Sequence, residues 1–314
     1  MTFRFTLLSL LLLVASAARA LDREVFSLTN YDLNLQVDPE QHRLGVRGKV
    51  TLRNDSQTPQ KIAVLQISSS LDWRAVKAGD KTLQFVTQPY TSDIDHTGGL
   101  SEAIVTLPEP IPPKGTIELE IAYEGVVLLD ATRFTRIGMK EDAASSMDWD
   151  QIDAKFTGVR GAGHVAWYPI ATEVANLSEK NSSVEVLGRW NTRQAGSRMH
   201  LQIGVTGGDY ETAEFLFNGV KCTEELFNQM GTRDLKADCA YQPSRWDTPT
   251  LVIAGYQLLE KPAIEVRYLH GHDAAATNFA DATEKIAPFI TDWFGPAREK
   301  AKTADLPDQR LLQC

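Results

Sequence analysis

The sequence predicts a mainly β protein in which many strands precede a single long helix. Segments with an apolar residue at every second position recur between residues 31 and 268, and this alternation indicates strands with one buried face. Residues 274–294 instead place apolar side chains at three- and four-residue steps, which indicates an amphipathic helix. Strands followed by one helix are typical of a β domain that leads into the beginning of another unit.

The stretch from Tyr31 to Leu52 shows the alternation most clearly and predicts an antiparallel hairpin. Pro39 lies in the break between its two halves, where the chain turns because proline removes a ladder donor. Gly48 occupies an apolar position of the second half, which predicts a bulge or a close approach of neighbouring backbone. The alternating apolar residues are Tyr31, Leu33, Leu35, Val37, Leu44, Val46, Val50 and Leu52.

Other segments are predicted with less detail. Four prolines between residues 108 and 113 indicate an extended surface crossing outside any central sheet. Residues 131–163 show no sustained period, and two interpretations stay open: a long functional loop lying on the sheet, or a pair of short strands. Further strands are predicted at residues 62–67, 83–85, 103–107, 116–123, 184–190, 199–205, 251–256 and 264–268.

The helix over residues 274–294 has predicted boundaries. Asp273 is the expected N-cap, and Gly295-Pro296 ends the helix. Pro288 lies inside it and predicts either a kink or two shorter helices.

Length, charge and the first residues restrict the class of protein. The chain has 314 residues and a net charge of −9, which argues against nucleic acid and anionic membrane surfaces as partners. Residues 1–20 have the organisation of a signal peptide: Arg4, an apolar run from Leu7 to Val14, and Ala18-Arg19-Ala20 as the cleavage site. We therefore expect cleavage after Ala20, a secreted or periplasmic protein, and no membrane span after removal of the signal.

The three cysteines predict one disulfide. Cys222 and Cys239 lie close together in the sequence, and an oxidising compartment permits their pairing, although two reduced thiols are the alternative. Cys314 is the odd cysteine and could cross-link two chains.

The residues contain no complete active site of a familiar kind. The sequence has no H-E-x-x-H, no G-x-S-x-G and no phosphate-binding loop. His270 and His272 could share a metal on a strand, but the segment is explained more simply as an exposed link between strand and helix. The carboxylate pairs Glu118/Glu120 and Asp148/Asp150 are interpreted as solvated strand faces.

Three aromatic residues are the candidate ligand contacts. Trp149, Trp167 and Tyr168 could stack on a sugar or a peptide, or they could pack in the core or at a hinge. Both interpretations stay open at this point.

Five segments in order resemble the amino-terminal half of the zinc aminopeptidases of the aminopeptidase N type, a family of gluzincin metallopeptidases. Together they cover roughly Val25 to Pro296. They are the opening hairpin, Leu119–Gly125 with its Tyr-x-Gly ending, Tyr210–Gly219 ending in Asn-Gly, the strand Thr250–Tyr256, and the helix ending Trp293-Phe294-Gly295-Pro296.

The resemblance implies a saddle-like antiparallel β-sandwich over residues 21–260. Residues 261–314 would then be the first strand and helix of an incomplete thermolysin-like α/β catalytic domain. In the full-length family, zinc-activated water hydrolyses a peptide substrate. This chain would frame the substrate cleft and contact a missing catalytic domain.

The departures from the family limit what is carried over. G-A-M-E-N, H-E-x-x-H, the downstream glutamate ligand and the tyrosine that stabilises the transition state are all absent, and Trp167–Glu173 replaces the Phe-Pro-x-x-Asp-Glu-Pro segment. No catalytic or metal residue is therefore assigned, zinc is expected only in full-length members, and the chain alone is expected to be inactive. The alternative hypothesis is a self-standing extracytoplasmic module that binds peptide or glycan through the region from Trp149 to Tyr168.

Overall fold

The computed structural model describes residues 21–179, 181–207, 213–229, 232–244 and 247–307. The predicted signal peptide, Tyr210 and Cys314 lie outside these residues. The described part is mainly β, with several antiparallel sheets, as the sequence predicted.

The largest sheet has eight strands in the order β14-β15-β11-β1-β2-β8-β4-β5. Every neighbouring pair is antiparallel except β1 and β11, which are parallel. Its strands are β1 (Phe26–Asp38), β2 (Arg43–Asn54), β4 (Leu71–Ala78), β5 (Lys81–Thr82), β8 (Thr116–Val126), β11 (Arg198–Thr206), β14 (Thr223–Gln229) and β15 (Thr232–Tyr241).

Two smaller sheets cover the apolar face of the large sheet. A three-stranded sheet has the order β3-β7-β6, and a five-stranded sheet has the order β13-β12-β16-β10-β9. Leu33 of the large sheet, Leu65 of the three-stranded sheet and Ile253 of the five-stranded sheet belong to one continuous buried cluster. The strands are β3 (Gln60–Ser68), β6 (Phe85–Thr91), β7 (Gly99–Ile111), β9 (Gln151–Ile152), β10 (Phe156–Arg160), β12 (Glu214–Phe217), β13 (Val220–Lys221) and β16 (Thr250–Ala254).

The predicted hairpin is β1 and β2, paired from Phe26 opposite Asn54 to Asp38 opposite Arg43. Gly48 confirms the predicted close approach of backbone. A Cβ atom at this position would lie 2.2 Å from the carbonyl oxygen of Asp32. Only a residue without a side chain fits there.

The prediction of a strand at residues 184–190 is wrong. These residues lie in α3 (Ser182–Gln194), which buries Val186, Trp190 and Gln194 at four-residue steps and leaves Val184 73% exposed. Val184 and Val186 imitated a strand because a short window cannot separate a period of two from one of 3.6.

The prolines at 108 and 110 also lie inside a strand, contrary to prediction. They belong to β7, the middle strand of its sheet. However, β6 pairs only up to Val105, and the pairing of β3 passes from Thr106 to Ile111 through an irregularity. The prolines therefore occupy a part of the strand where no ladder hydrogen bond is required.

Residues 131–163 contain the pair of short strands that one open interpretation predicted, together with two short helices that neither interpretation predicted. The first part carries two short helices, α1 (Thr132–Arg136) and α2 (Glu141–Ser145), and the second part contains the short strands β9 and β10.

A separate unit follows β16. Its sheet has the order β17-β18-β19, with β17 (Gln257–Glu260) antiparallel and β19 (Ala301–Ala304) parallel to β18 (Ile264–Tyr268). The helix α4 (Asp273–Phe294) packs Ala276 and Ala280 on this sheet. The helix is continuous through Pro288, and His272 rather than Asp273 is its N-cap residue.

Replacing Gly48 tests the close approach in the hairpin. We expect Gly48→Ala to lower the free energy of unfolding by about 2–3 kcal/mol, because the new Cβ has to displace the backbone of β1. Urea denaturation measures this change.

The matched control is Gly188→Ala in α3, where a Cβ meets nothing within 4 Å. We expect this variant to gain about 0.5–1 kcal/mol from helix propensity. Equal stability of the Gly48 variant and the wild-type protein would contradict the assignment.

Candidate functional site

The aromatic residues predicted as ligand contacts are mostly core residues. Trp167 and Tyr168 are both 0% exposed. The Trp167 indole donates to the carbonyl of Pro249 at 3.2 Å, and the two rings pack edge to face with centroids 4.9 Å apart. Packing in the core, and not stacking on a ligand, is the role the structure gives to these two rings.

Trp149 is the one half-buried member of the three. Its ring lies beneath the Arg160 guanidinium, with 3.9 Å from the guanidinium carbon to the ring centroid. It also packs with Phe156, a member of a small buried cluster against which Leu269 of the terminal unit packs as well. Trp149 therefore lies near the contact between the first three sheets, which we call the β body, and the unit formed by β17, β18, β19 and α4, which we call the terminal unit.

The structure joins Cys222 and Cys239 by a disulfide, with their Cα atoms 4.8 Å apart. Cys222 precedes β14 and Cys239 lies in β15, so the bond holds the outermost strand of the large sheet to its neighbour.

The main concentration of buried charge lies under residues 128–149, which we call the strap. The strap carries α1 and α2 and crosses from β8 to β9. The strap contributes Arg133 and Asp148 to a buried charge cluster, which we define as Asp93, Asp95, His96, Arg133, Asp148, Asp150, Arg160 and His164. Six of these eight side chains are no more than 5% exposed, the exceptions being Arg160 and His164.

Two aspartates of the cluster fix the end of the strap. Asp148 accepts from the His96 Nδ1–H at 2.9 Å and from the backbone N–H of Asp130 at 3.0 Å. Asp150 accepts from the Arg160 Nε–H at 3.0 Å, the Arg160 Nη2–H at 2.6 Å and the Arg160 backbone N–H at 2.6 Å. The interpretation of Asp148 and Asp150 as residues of a solvated strand face is therefore wrong, because both side chains are buried.

Arg133 and Asp95 tie the surrounding loops together. Arg133 donates to the carbonyl oxygens of Asp93, at 3.2 Å, and Gly163. Asp95 accepts from the Ser68 hydroxyl at 2.9 Å and from the backbone N–H of Ala166 at 2.8 Å. Four segments that are distant in sequence thus meet at one set of charges.

The pKa values of the two histidines in the cluster are shifted in opposite directions. Burial alone would lower the pKa of His96, but its hydrogen bond to Asp148 and the nearby carboxylates outweigh burial and raise the pKa to about 9. Burial, with the positive charges of Arg160 and Arg133, lowers the pKa of His164 to about 3. At neutral pH, His96 is therefore an imidazolium and His164 is neutral.

The pKa values of Asp148 and Asp150 are also shifted in opposite directions. Burial, and after it the neighbouring Asp148 carboxylate, raises the pKa of Asp150. Despite burial, the pKa of Asp148 falls because of its hydrogen bond to His96 and the charge of His96. Because the pKa of Asp148 is lowered, its carboxylate stays ionised beside the His96 imidazolium.

The buried charge cluster is suited to a structural role and not to acid–base catalysis. The carboxylates are already bound by cations and backbone N–H groups, and they are buried away from solvent. A general acid or base has to come within hydrogen-bond reach of a substrate proton. Neither aspartate presents such a surface, so the cluster acts to fix the strap on the β body.

No group of three or more His, Cys, Asp and Glu residues in the described parts of the chain is placed to hold a metal ion. His272 bonds Asp305 through Nδ1, while His270 is exposed in the link before α4. The residues described here, together with the missing H-E-x-x-H, do not fit a catalytic zinc site of the type the resemblance implies. Over the same described residues, no helix is long and apolar enough to cross a membrane.

The terminal helix presents a large exposed apolar surface. Its buried side packs on β18 through Ala276 and Ala280, whereas its other side faces solvent. The exposed fractions are 53% for Phe279, 53% for Ile286, 57% for Phe289, 45% for Ile290, 68% for Trp293 and 78% for Phe294. Apolar surface of this extent is typical of a contact with another part of a protein.

The fold is similar to that of known zinc metallopeptidases. An M1 zinc metallopeptidase from Deinococcus radiodurans superposes with a TM-score of 0.56 and 17% sequence identity, over 90% of this chain and 56% of the other. A mutant M1 zinc metallopeptidase from the same organism, bound to a Tyr-Ser-Ala substrate, gives 0.54 and 17% over 90% and 57% of the two chains. A two-domain mutant bound to L-arginine gives 0.55, again at 17% identity.

These comparisons confirm the fold that the sequence resemblance implied. This chain spans a little more than half the length of the metallopeptidases it matches. No protein-family model matches the sequence. No curated protein matches it either.

Sequence reasoning did not find the buried charge cluster. Its members come from a loop at residues 93–96, the strap with Asp150 directly after it, and residues 160–164, and no pattern in one segment reveals the others. The one available indication was Asp93-Ile94-Asp95-His96, an unusually charged tetrapeptide just before the Gly98-Gly99 pair.

The raised pKa of His96 predicts a loss of stability at alkaline pH. Protonated His96 stabilises the fold fully below its unfolded pKa of about 6.5, and this contribution is lost as pH rises towards 9. We expect the free energy of unfolding to fall by roughly 2–3 kcal/mol over this interval from His96 alone.

Urea denaturation of the His96→Gln variant at several pH values measures the effect. The variant should be less stable at pH 6.5 and should show a flatter alkaline decline. Lys61→Gln on the exposed side of β3 is the control and should keep the wild-type slope. A His96 variant with the wild-type slope would show that the histidine is not protonated in the fold.

Proposed function

We propose that this chain is the amino-terminal, cleft-framing portion of a secreted or periplasmic zinc metallopeptidase of the M1 type. The similarity in fold supports it, since 90% of this chain but only 57% of a metallopeptidase chain is superposed. In this proposal residues 1–20 are a signal peptide cleaved after Ala20, residues 21–260 are the β domain, and residues 261–314 begin the catalytic domain.

The exposed apolar side of α4 is the observation that carries the proposal. Burying side chains as large as Phe289 and Trp293 contributes roughly 1.5–3 kcal/mol each. A partner that covers the helix would recover this free energy. The proposed partner is the remainder of the catalytic domain.

The edge of the terminal sheet supports the same partner. Strand β19 lies at the edge and pairs only with β18 among the described strands. An edge strand leaves backbone N–H and C=O groups that can pair with a further strand. The edge strand β19 and the exposed side of α4 thus belong to the same unit, and both can contact one partner.

Peptide hydrolysis belongs to the whole enzyme in this proposal, and the chain alone supplies the frame of the cleft. The alternative of a self-standing module for peptide or glycan relied on aromatic contacts. It is less favoured because Trp167 and Tyr168 are buried.

The first test measures activity. We expect the purified chain to hydrolyse no aminoacyl-anilide with or without added zinc, because H-E-x-x-H is missing from its sequence. A hydrolysis rate that requires zinc and increases with the concentration of this chain would contradict the proposal.

The second test concerns the partner of α4. We expect the DNA beyond codon 314, read in all three frames, to encode an H-E-x-x-H segment. Co-expression of that segment with this chain should yield a complex. The double variant Phe289→Glu/Trp293→Glu should lose the complex, because charges at these positions cannot be buried without partners.

Lys285→Glu on the same helix is the matched control and should retain the complex. If no frame encodes the motif, the self-standing module becomes the favoured function.

A further inference from the structure

The sequence contains three Asn-x-Ser tripeptides, which are acceptor motifs for N-linked glycans in exported proteins. They occupy residues 54–56, 176–178 and 181–183. The motif alone does not identify a modified residue. The folded structure can distinguish the three, because an asparagine that carries a glycan has to project from the surface without giving up hydrogen bonds that the fold needs.

The folded chain has no room for a glycan on Asn54. This residue is 0% exposed. Its Nδ2 group donates to the carbonyl oxygens of Ile111 at 2.8 Å and Thr58 at 2.9 Å, and its Oδ1 atom accepts from the backbone N–H of Ser56 at 2.9 Å. A sugar on Nδ2 would remove one of these hydrogen bonds and would have to lie inside the protein.

The amide of Asn176 is engaged in a local turn. Its Oδ1 atom accepts from the backbone N–H of Ser178 at 2.9 Å and from the Ser178 hydroxyl at 2.7 Å. Its Nδ2 group donates to a carboxylate oxygen of Glu179 at 3.2 Å. Both the asparagine and the serine of this motif therefore have a role in the folded chain.

Asn181 is different, because its side chain is exposed and has no role in the fold. It lies directly before α3 in the left-handed region, with φ of 62°, a conformation that asparagine tolerates. Although it is the N-cap residue of α3, its side chain makes no capping hydrogen bond. The amide of Asn181 can therefore be modified without loss of a contact to any residue that the structure describes.

The serine of this motif is an independent observation that points to the same site. The Ser183 side chain is 8% exposed, and its hydroxyl has no hydrogen-bond partner among the described residues. A buried hydroxyl without a partner costs free energy, so the folded chain does not explain a serine here. A role in the extended chain, as the hydroxyl that a glycosyl transferase recognises two residues after the asparagine, does explain it.

We propose that Asn181 is a site of N-linked glycosylation. The Asn181 Nδ2 atom forms a bond to the anomeric carbon of an oligosaccharide carried on a lipid pyrophosphate. The bond from this carbon to the pyrophosphate oxygen breaks, the lipid pyrophosphate leaves with the electron pair, and one amide proton passes to a base of the transferase. Periplasmic transferases of this class also require an acidic residue two positions before the asparagine, and Glu179 meets this requirement.

The surroundings of Asn181 would benefit from a hydrophilic group. Leu177 before it is 38% exposed, and Val184 after it is 73% exposed. A glycan between these apolar side chains would limit their contact with other molecules. The proposal rests on export of the chain, which is part of the proposed function, but it does not depend on the peptidase activity of a longer protein.

The test expresses the full chain behind a host signal sequence, so that export does not depend on residues 1–20. One host is eukaryotic, and the other is a bacterium whose periplasm contains an N-oligosaccharyltransferase. Intact mass before and after digestion with a peptide-N-glycosidase measures the glycan, and peptide mapping after digestion in heavy-oxygen water marks the residue that carried it. We expect one glycan per chain, on Asn181, in at least one host, and that host identifies the class of transferase.

Two variants should lose the glycan. Asn181→Asp removes the acceptor amide, and Ser183→Ala removes only the hydroxyl. Ser183→Ala should keep or raise the thermal unfolding temperature, because the hydroxyl it removes is buried without a partner, and this separates lost modification from lost folding. Ser178→Ala destroys the motif of Asn176 and is the matched control, which should retain the glycan.

Three results would overturn the proposal. They are the absence of a glycan in both hosts, a glycan carried by Asn54 or Asn176 in place of Asn181, and a glycan that persists in the Ser183 variant.

Discussion

Burial of charge is the constraint on which the arrangement of the β body depends. Asp148 lies at the end of the strap and Asp150 directly after it, His96 and Asp95 come from the loop before β7, and Arg160 ends β10. Each group is costly to bury unless its partner arrives from another segment. The loops that carry these charges therefore have to adopt their folded positions together. Removing one charged side chain of the cluster would leave its partner as an unpaired charge in the interior.

The regular parts of the fold could be predicted from the sequence because each carries its own pattern. Alternation over residues 31–52 predicted β1 and β2, and the spacing of Phe279, Ile286 and Phe289 predicted α4. Prediction failed where the pattern was short, as at Val184 and Val186. It also failed at Pro108 and Pro110, where an interrupted ladder tolerates residues that usually exclude a central strand.

The candidate sites were harder to predict because they depend on contacts between distant segments. His96 and Asp148 are 52 residues apart, yet they share one hydrogen bond. The exposed face of the large sheet likewise depends on register, since Arg47, Ala122 and Ala75 become neighbours only when three strands are aligned. Trp167 and Tyr168 show the converse problem: a type of residue common in binding sites serves here as core.

The parallel pairing of β1 with β11 has a consequence for the order of events during synthesis. Asn30 lies beside Arg198, so β1 leaves the ribosome long before this neighbour exists. The hairpin with β2 can form early, but the other edge of β1 stays open until about two hundred residues have been made. A nascent chain in this state has to avoid pairing that edge with other chains, and long-range pairing of this kind is intrinsically slow. Strand β1, which lies inside the finished sheet, is thus an unprotected edge strand during synthesis and is open to pairing with other chains.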